Sequence, residues 1–193
     1  STRFPASAEL KGASVEFRRQ IPISIEIEQL SLRLKLLSLL LLKTHLHGSA
    51  KLYHGKAVID YLSPWLTGQN TLNIDGGKIQ LAKNPQLNAL GIAGQVEIKF
   101  QSDFRQPIAT TNAKLIRLGR TELELILDHG SYSGGHKIAG LLALPSATDI
   151  RAEIRSTGEG NKFTIHSFSF LSSLGTVEGR GVITSSDSFD NIE

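Results

Sequence analysis

The feature that most constrains this chain is the alternation of apolar and polar residues between glycine-containing breaks. Residues 21–27 carry isoleucine at every odd position, and residues 96–100, 123–127 and 150–154 alternate in a similar way. A period of two places the apolar side chains on one face of a β-strand and the other side chains on the opposite face. The sequence therefore predicts an all-β fold: a meandering antiparallel sheet, strongly curved or sandwich-like, with one or two short helical turns.

The length and charge of the chain limit its organisation and its partners. With 193 residues, we expect a single β-rich domain over residues 1–184 and a polar tail over residues 185–193 that frays. The net charge is +3 and aromatic residues make up 6% of the chain, which argues against a nucleic-acid partner because such proteins concentrate basic and stacking side chains. The absence of cysteine excludes disulfides and thiolate metal sites, and we predict no cofactor.

Four local patterns interrupt the alternation. The leucine-rich segment at residues 36–42 lies between Lys35 and Lys43. It is much shorter than the roughly 20 residues that span a bilayer, so it predicts a buried strand or a short helix. The alternation changes phase at Gln29, which predicts a bulge or a turn. Glycines at 76 and 77 after Asp75 predict a tight hairpin, and the prolines at 64 and 85 predict short helical turns near residues 63 and 84–90.

Candidate reaction centres are few. His45 and His47 share a strand face and are typical of a metal-ligand pair, but the neighbouring sequence supplies no third ligand, so we interpret them as solvent-facing polar residues. Asp128, His129 and His136 surround a Gly-Ser loop that lacks a nucleophile-elbow pattern. The pairs Glu26/Glu28 and Glu122/Glu124 fit a solvated strand face. The sequence thus predicts no catalytic and no metal residues, and a protein that is not an enzyme.

The apolar rows carry more information than the polar residues. They form either a filled core or, if the sheet curves without closing, a groove for acyl chains or for a partner's apolar strand. For the groove we predict a lining that combines one row near the start of the chain with one row in the middle. The residues are Ile23, Ile25, Ile27, Val96, Ile98 and Phe100.

Two segments carry a resemblance to a known family. The opening Arg3-Phe4-Pro5 followed by residues 23–32, and the glycine-punctuated segment at residues 168–183, resemble the GspN-type type II secretion system protein N family. In that family a single N-terminal membrane anchor ends near a Phe-Pro pair and a β-rich periplasmic region follows. The similarity is loose and consists of strand patterns, and residues 48–90 take no part in it.

The resemblance implies a periplasmic accessory or scaffold domain of the type II secretion machinery. Such a domain would be anchored to the inner membrane in the full-length protein and would act through contacts with other envelope or secretion-system proteins. The chain begins at Ser1 and contains no methionine, so we expect it to be part of a longer polypeptide. A wider similarity to AsmA-like and lipopolysaccharide-transport proteins implies the alternative: a lipid-binding or lipid-transfer module with an open apolar β-groove.

Overall fold

The computed structural model describes residues 7–17, 23–105, 117–135, 137–138, 142–143, 145–160 and 162–184. Twelve strands, two five-residue helices and a 3₁₀ turn make up its regular structure. In chain order the elements are β1 (Ser7–Phe17), β2 (Ile23–Leu34), α1 (Leu36–Leu40), β3 (Lys43–Leu52), β4 (Gly55–Pro64), β5 (Gln69–Gln80), the 3₁₀ turn (Leu81–Lys83), α2 (Pro85–Ala89), β6 (Ile92–Arg105), β7 (Arg117–Tyr132), β8 (Lys137–Ile138), β9 (Leu142–Ala143), β10 (Ala147–Glu159), β11 (Lys162–Ser172) and β12 (Gly175–Thr184).

Ten of the strands form one antiparallel sheet in the order β1-β2-β3-β4-β5-β6-β7-β10-β11-β12. Almost every strand therefore pairs with its neighbour in sequence. The small pair β8–β9 lies in the connection between β7 and β10 and forms a separate two-stranded sheet. Strands β1 and β12 are the two edges. The prediction of an all-β, meandering antiparallel fold with short helical turns is confirmed.

The strand registers give the sheet one apolar and one polar face. Because paired residues point to the same side of a sheet, each ladder of partners can be followed from strand to strand. Four such ladders, which we call rows A to D, are composed almost entirely of apolar residues and glycine. Row A is Leu10, Leu30, Ala50, Ala57, Gly76, Ile98, Leu125, Ile154, Phe168 and Gly179; row B is Ala8, Leu32, Gly48, Ile59, Ile74, Phe100, Leu123, Ser156, Ile165 and Gly181; row C is Leu34, Leu46, Tyr61, Leu72, Ser102, Thr121, Gly158, Phe163 and Ile183; row D is Ile79, Val96, Leu127, Ala152, Phe170 and Val177.

The ladders between these rows point to the opposite face and are mainly polar. One contains Glu9, Ser31, Ser49, Val58, Asp75, Lys99, Glu124, Arg155 and Ser167; the next contains Ser7, Arg33, His47, Asp60, Asn73, Gln101, Glu122, Thr157, Thr164 and Val182. The period-two pattern of the sequence thus becomes a property of the whole sheet. We call the two sides the apolar face and the polar face.

Little of the apolar face is fully buried. The described part of the chain has five fully buried apolar residues, and they are Ala50, Tyr53, Ala57, Ala147 and Ile150. The large side chains at the centre of rows A and B, such as Ile98 and Phe100, remain partly exposed. Besides the large sheet, the described residues form only two short helices, one 3₁₀ turn and the β8–β9 pair, which are too small to cover a ten-stranded face.

Two local predictions are wrong and a third is displaced. Residues 75–77 do not form a hairpin: β5 runs through them, and a bulge near Lys78, where φ is 58°, absorbs the irregularity. Residues 63–64 are the end of β4, and the single turn that follows, closed by the Gly68 N–H donating to the Pro64 carbonyl, begins one residue later than predicted. The phase change at Gln29 is not a bulge, because β2 keeps one register against β1 on both sides of an unpaired Gly12–Glu28 position.

Two other local predictions are confirmed, and others fall on residues outside the described ranges. Asn84 caps α2 as the sequence predicts, and residues 36–40 form the short helix α1. His136 and the tail at 185–193 lie outside the described residues. Within the described ranges, no helix is long and apolar enough to cross a membrane.

Candidate functional site: an open apolar face

On the apolar face, large side chains occupy the space above glycines of neighbouring strands. A Cβ atom at Gly48 would lie 2.6 Å from Leu32 Cδ2, and one at Gly76 would lie 2.9 Å from Ile98 Cγ2. These glycines therefore make room for the leucine and isoleucine of the adjacent strands. Without a second layer, this close lateral packing is the main way in which the face limits its contact with water.

The face is large for an uncovered apolar surface. Ten strands at a spacing of about 4.8 Å span roughly 43 Å, and at about 3.3 Å per residue rows D to C cover about 20 Å along the strands from β5 to β12 that all four rows cross, and less along β1 to β4. The footprint of the face is thus roughly 800 Å²; the largest exposed apolar patch on a typical monomer is about 300–600 Å². Apolar patches above that range generally mark a surface that meets an apolar partner.

The two predicted lining rows occupy different places. Val96 belongs to row D, Ile98 to row A and Phe100 to row B. Ile25 and Ile27 are partly exposed on β2 but lie beyond the last residue pair between β2 and β3, Gln29–Lys51. The side chain of Ile23 lies outside the described residues.

The residues of β2 that align with β6 are leucines that the site prediction missed. Leu30 leads through row A to Ile98, and Leu32 leads through row B to Phe100. The alternation in residues 30–34 was visible in the sequence. Only the register across β3, β4 and β5 shows that these leucines, and not Ile25 and Ile27, continue the β6 rows.

Few polar atoms interrupt the apolar face. In row C, the hydroxyls of Ser102 and Thr121 lie 3.0 Å apart and form a hydrogen bond. In row B, Ser156 Oγ is buried and, among the described residues, is the one buried side-chain polar atom without a hydrogen-bond partner. The central part of the face therefore offers almost no hydrogen-bonding groups to whatever covers it.

The polar face is organised by alternating charges. Asp75, Lys99, Glu124 and Arg155 are successive cross-strand neighbours. Lys99 Nζ lies 3.0 Å from Glu124 Oε2, and Arg155 Nε lies 3.0 Å from Glu124 Oε1. The hydrogen bond with Lys99, followed by the charges of Lys99 and Arg155, holds the pKa of Glu124 below its ordinary value, and the same bond raises the pKa of Lys99. Glu124 is therefore an ion-pair partner of two cations.

A cavity of about 570 Å³ lies over this charged row. Most of the side chains around it belong to the polar face, among them Lys99, Glu122, Glu124, Arg155 and His166. Arg120 Nη2 contacts Glu122 Oε1 at 2.7 Å, so this glutamate is also paired with a cation. The interpretation of Glu122 and Glu124 as residues of a hydrophilic strand face fits these contacts.

The histidine pair acquires a partner that the sequence did not reveal. Asp60 on β4 is the direct cross-strand neighbour of His47, and its Oδ1 lies 2.8 Å from His47 Nδ1 and 3.4 Å from His45 Nε2. The hydrogen bond from His47 is the main reason why the pKa of Asp60 is lowered. No group of three or more His, Cys, Asp or Glu side chains in the described ranges is placed to hold a metal ion.

The loop considered for nucleophilic catalysis is only partly described. Asp128 and His129 are exposed near the end of β7, and His129 has a φ of 51°. His136 lies outside the described residues.

Comparison with known proteins returns no match: no protein-family model, no curated protein and no solved structure is significantly similar to this chain.

Proposed function

We propose that this chain is a lipid-binding module that takes up acyl chains on its apolar face. The observation that carries the proposal is the set of apolar rows A to D, which cross up to ten strands and stay partly exposed. Covering this face contributes about 25 cal/mol for each Å² of apolar surface removed from water, and this gain opposes the loss of freedom of a bound chain.

The chemistry of the face favours an acyl chain over a peptide. A peptide laid on rows A and B would lose water from its backbone N–H and C=O groups without finding partners, because those rows contain only Ser156 as a polar side chain. An unsatisfied buried polar group costs about 1–3 kcal/mol. A hydrocarbon chain has no such groups and pays no such cost.

A second candidate function, binding of a protein partner, is favoured by the edge strand β12. All ten of its residues are exposed, and on one side it pairs with β11 while its other side is an edge of the sheet. Edge strands present unpaired N–H and C=O groups to which another strand can add. Contacts of this kind suit the accessory or scaffold role in the type II secretion machinery that the family resemblance implies, together with its periplasmic location.

The test begins with gentle purification, native mass spectrometry and solvent extraction, followed by titration of the delipidated chain with a fluorescent fatty acid. We expect co-purifying lipid and saturable binding. Ile98→Asp should weaken binding at least tenfold, because a carboxylate would be covered by hydrocarbon. Gln101→Asp on the polar face of the same strand should leave binding unchanged.

Circular dichroism and urea unfolding check that each variant is folded, and Ile98→Ser replaces Ile98→Asp if the aspartate prevents folding. A lipid-free protein that does not bind the fatty acid contradicts the proposal and favours the protein-contact function. Equal losses in Ile98→Asp and Gln101→Asp contradict the assignment of the site to the apolar face.

A further inference from the structure

A separate apolar surface lies at one end of the sheet. Helix α1 connects β2 to β3, and the turn after Pro64 connects β4 to β5, so both connections emerge from the same end. The side chains of Leu37, Leu40 and Leu66 are 79%, 80% and 77% exposed. Together with their exposed apolar neighbours they form what we call the leucine tip. The tip consists of Leu36, Leu37, Leu40, Leu41, Leu42, Trp65 and Leu66.

The two parts of the leucine tip are joined by hydrogen bonds. The backbone N–H of Trp65 donates to the carbonyl of Leu42 at 2.9 Å, and its indole Nε1–H donates to Thr44 Oγ1 at 2.8 Å. Leu42 has a φ of 53°, which ends α1 and turns the chain back into β3. The tip is therefore a defined surface built from two adjacent connections.

The fold itself does not explain the leucines. No residue of α1 is buried, and a five-residue helix gains little stability in water unless an apolar face packs against something. Exposing six leucines and a tryptophan on one tip is costly in water. The arrangement thus calls for an apolar environment outside the described part of the chain.

The charges around the tip indicate what that environment is. Between Glu28 and Asp60 the chain contains no acidic residue, whereas Lys35 and Lys43 lie at this end of the sheet; Lys51 and Lys56 pair at the opposite end of β3 and β4. Lys35 and Lys43 directly flank the leucines. Lysines that surround an apolar surface reach toward anionic headgroups while the apolar side chains enter the hydrocarbon. Tryptophan is enriched at the same depth because its ring is apolar and its N–H is polar.

From this complementarity we infer that the leucine tip docks on the surface of a bilayer that contains anionic lipids. The tip inserts its leucines into the boundary between headgroups and acyl chains, with Lys35 and Lys43 at the phosphates. The inference rests on the tip alone and goes beyond acyl-chain binding by the apolar face. If both hold, docking places one end of the apolar face at a source or acceptor of lipid.

The test uses Trp65, the only tryptophan of the chain, as an internal probe. The full chain is mixed with vesicles of phosphatidylcholine alone or of phosphatidylcholine and phosphatidylglycerol at a ratio of about 3:1. We expect a blue shift of the tryptophan emission, quenching by brominated acyl chains and co-sedimentation with the anionic vesicles. Leu37→Ser/Leu40→Ser should reduce the partition coefficient about 100-fold, roughly tenfold for each leucine removed from hydrocarbon.

Two further variants separate the contributions. Lys35→Gln/Lys43→Gln should abolish the preference for anionic vesicles, since each cation near the surface adds to the attraction. Leu174→Ser is the matched control, because Leu174 is a 60% exposed leucine in the β11–β12 turn at the opposite end of the sheet. It should bind vesicles like the wild type.

Three outcomes overturn the inference: no emission change with anionic vesicles, equal binding by Leu37→Ser/Leu40→Ser and the wild type, or self-association through the tip without vesicle binding. The last outcome assigns the tip to a second copy of the chain. Titration of Leu37→Ser/Leu40→Ser with the fluorescent fatty acid distinguishes this test from that of the apolar face. Loss of vesicle docking with retained fatty-acid binding identifies the tip as a separate site.

Discussion

At the scale of single residues, the contacts of Asp60 predict a small effect of acid on stability. The hydrogen bond from His47 lowers the pKa of this carboxyl in the folded chain, so the carboxylate stabilises the fold above about pH 4 and loses this contribution as the pH falls through the lowered pKa. The effect should stay below about 1 kcal/mol, because the Asp60 side chain is 38% exposed and solvent screens the pair.

Urea unfolding of the wild type and of Asp60→Asn at several pH values measures this contribution. We expect the wild type to be the more stable protein near pH 6 and the difference to vanish near pH 2. His47→Ala should reduce the difference at pH 6, since it removes the main cause of the shift. A stability difference that does not depend on pH would show that Asp60 acts by packing alone.

At the scale of elements, one asparagine fixes the connection between β5 and β6 to the first part of the sheet. Asn84 is 2% exposed; its Oδ1 accepts from the N–H groups of Gln86 and Leu87 and caps α2. Its Nδ2 donates to the Ser24 carbonyl and to Tyr53 Oη, each at 2.8 Å. Tyr53 Oη in turn accepts from the Glu26 N–H and donates to the Ser24 carbonyl, so these bonds occupy backbone groups of β2 beyond the end of β3.

We therefore predict that Asn84→Ala lowers the free energy of unfolding by about 3 kcal/mol, of which about 1 is the lost cap and about 2 the two buried bonds. Asn84→Asp keeps the cap acceptor and loses both donors, so about 2 kcal/mol is expected. Asn88→Ala, on an exposed position of the same helix, should change stability by less than about 0.5 kcal/mol. Denaturant unfolding of the three variants measures these changes in stability. Equal effects at positions 84 and 88 would refute the role of Asn84 in holding the β5–β6 connection to β2.

Several elements could be predicted from the sequence because their signals are local. Alternation identifies the strands, and proline after asparagine identifies α2. The hairpin between β3 and β4 has no such signal: its two turn residues, Tyr53 and His54, have φ values of 47° and 62°, a region that usually requires Gly, Asn or Asp. Conversely, Gly76 resembles a turn residue but lies in row A, where Ile98 occupies the space of its missing side chain.

The candidate site depends on pairing across strands, which local patterns cannot supply. The sequence identified Ile98 and Phe100 as members of an apolar face. It could not show that Leu30 and Leu32 are their counterparts on β2, because three strands lie between them. Asp60 was missed as the partner of His47 for the same reason, since the register of the β3–β4 hairpin brings together residues thirteen positions apart.

At the scale of the whole molecule, the sheet resembles a linear array. Each strand pairs only with its neighbours in the sheet, and the order of the sheet follows the order of the chain except where β8 and β9 intervene. Stability in such an arrangement is close to a sum of neighbour terms, as in repeat proteins. Strands in the middle are held on both sides, whereas β1 and β12 are held on one side.

This arrangement predicts graded opening of the sheet in native-state hydrogen exchange. Backbone amides of β6 and β7 should exchange at least about 100-fold more slowly than those of β12, because the edge can separate without disturbing the centre. An acyl chain lying across rows A and B would contact several strands at once and couple them. Saturating the wild type with fatty acid should therefore slow amide exchange in the strands that the acyl chain contacts. The same fatty acid should not slow exchange in these strands of Ile98→Asp. Uniform protection from edge to centre would instead indicate one cooperative unit in which opening at the edge requires the whole sheet to unfold.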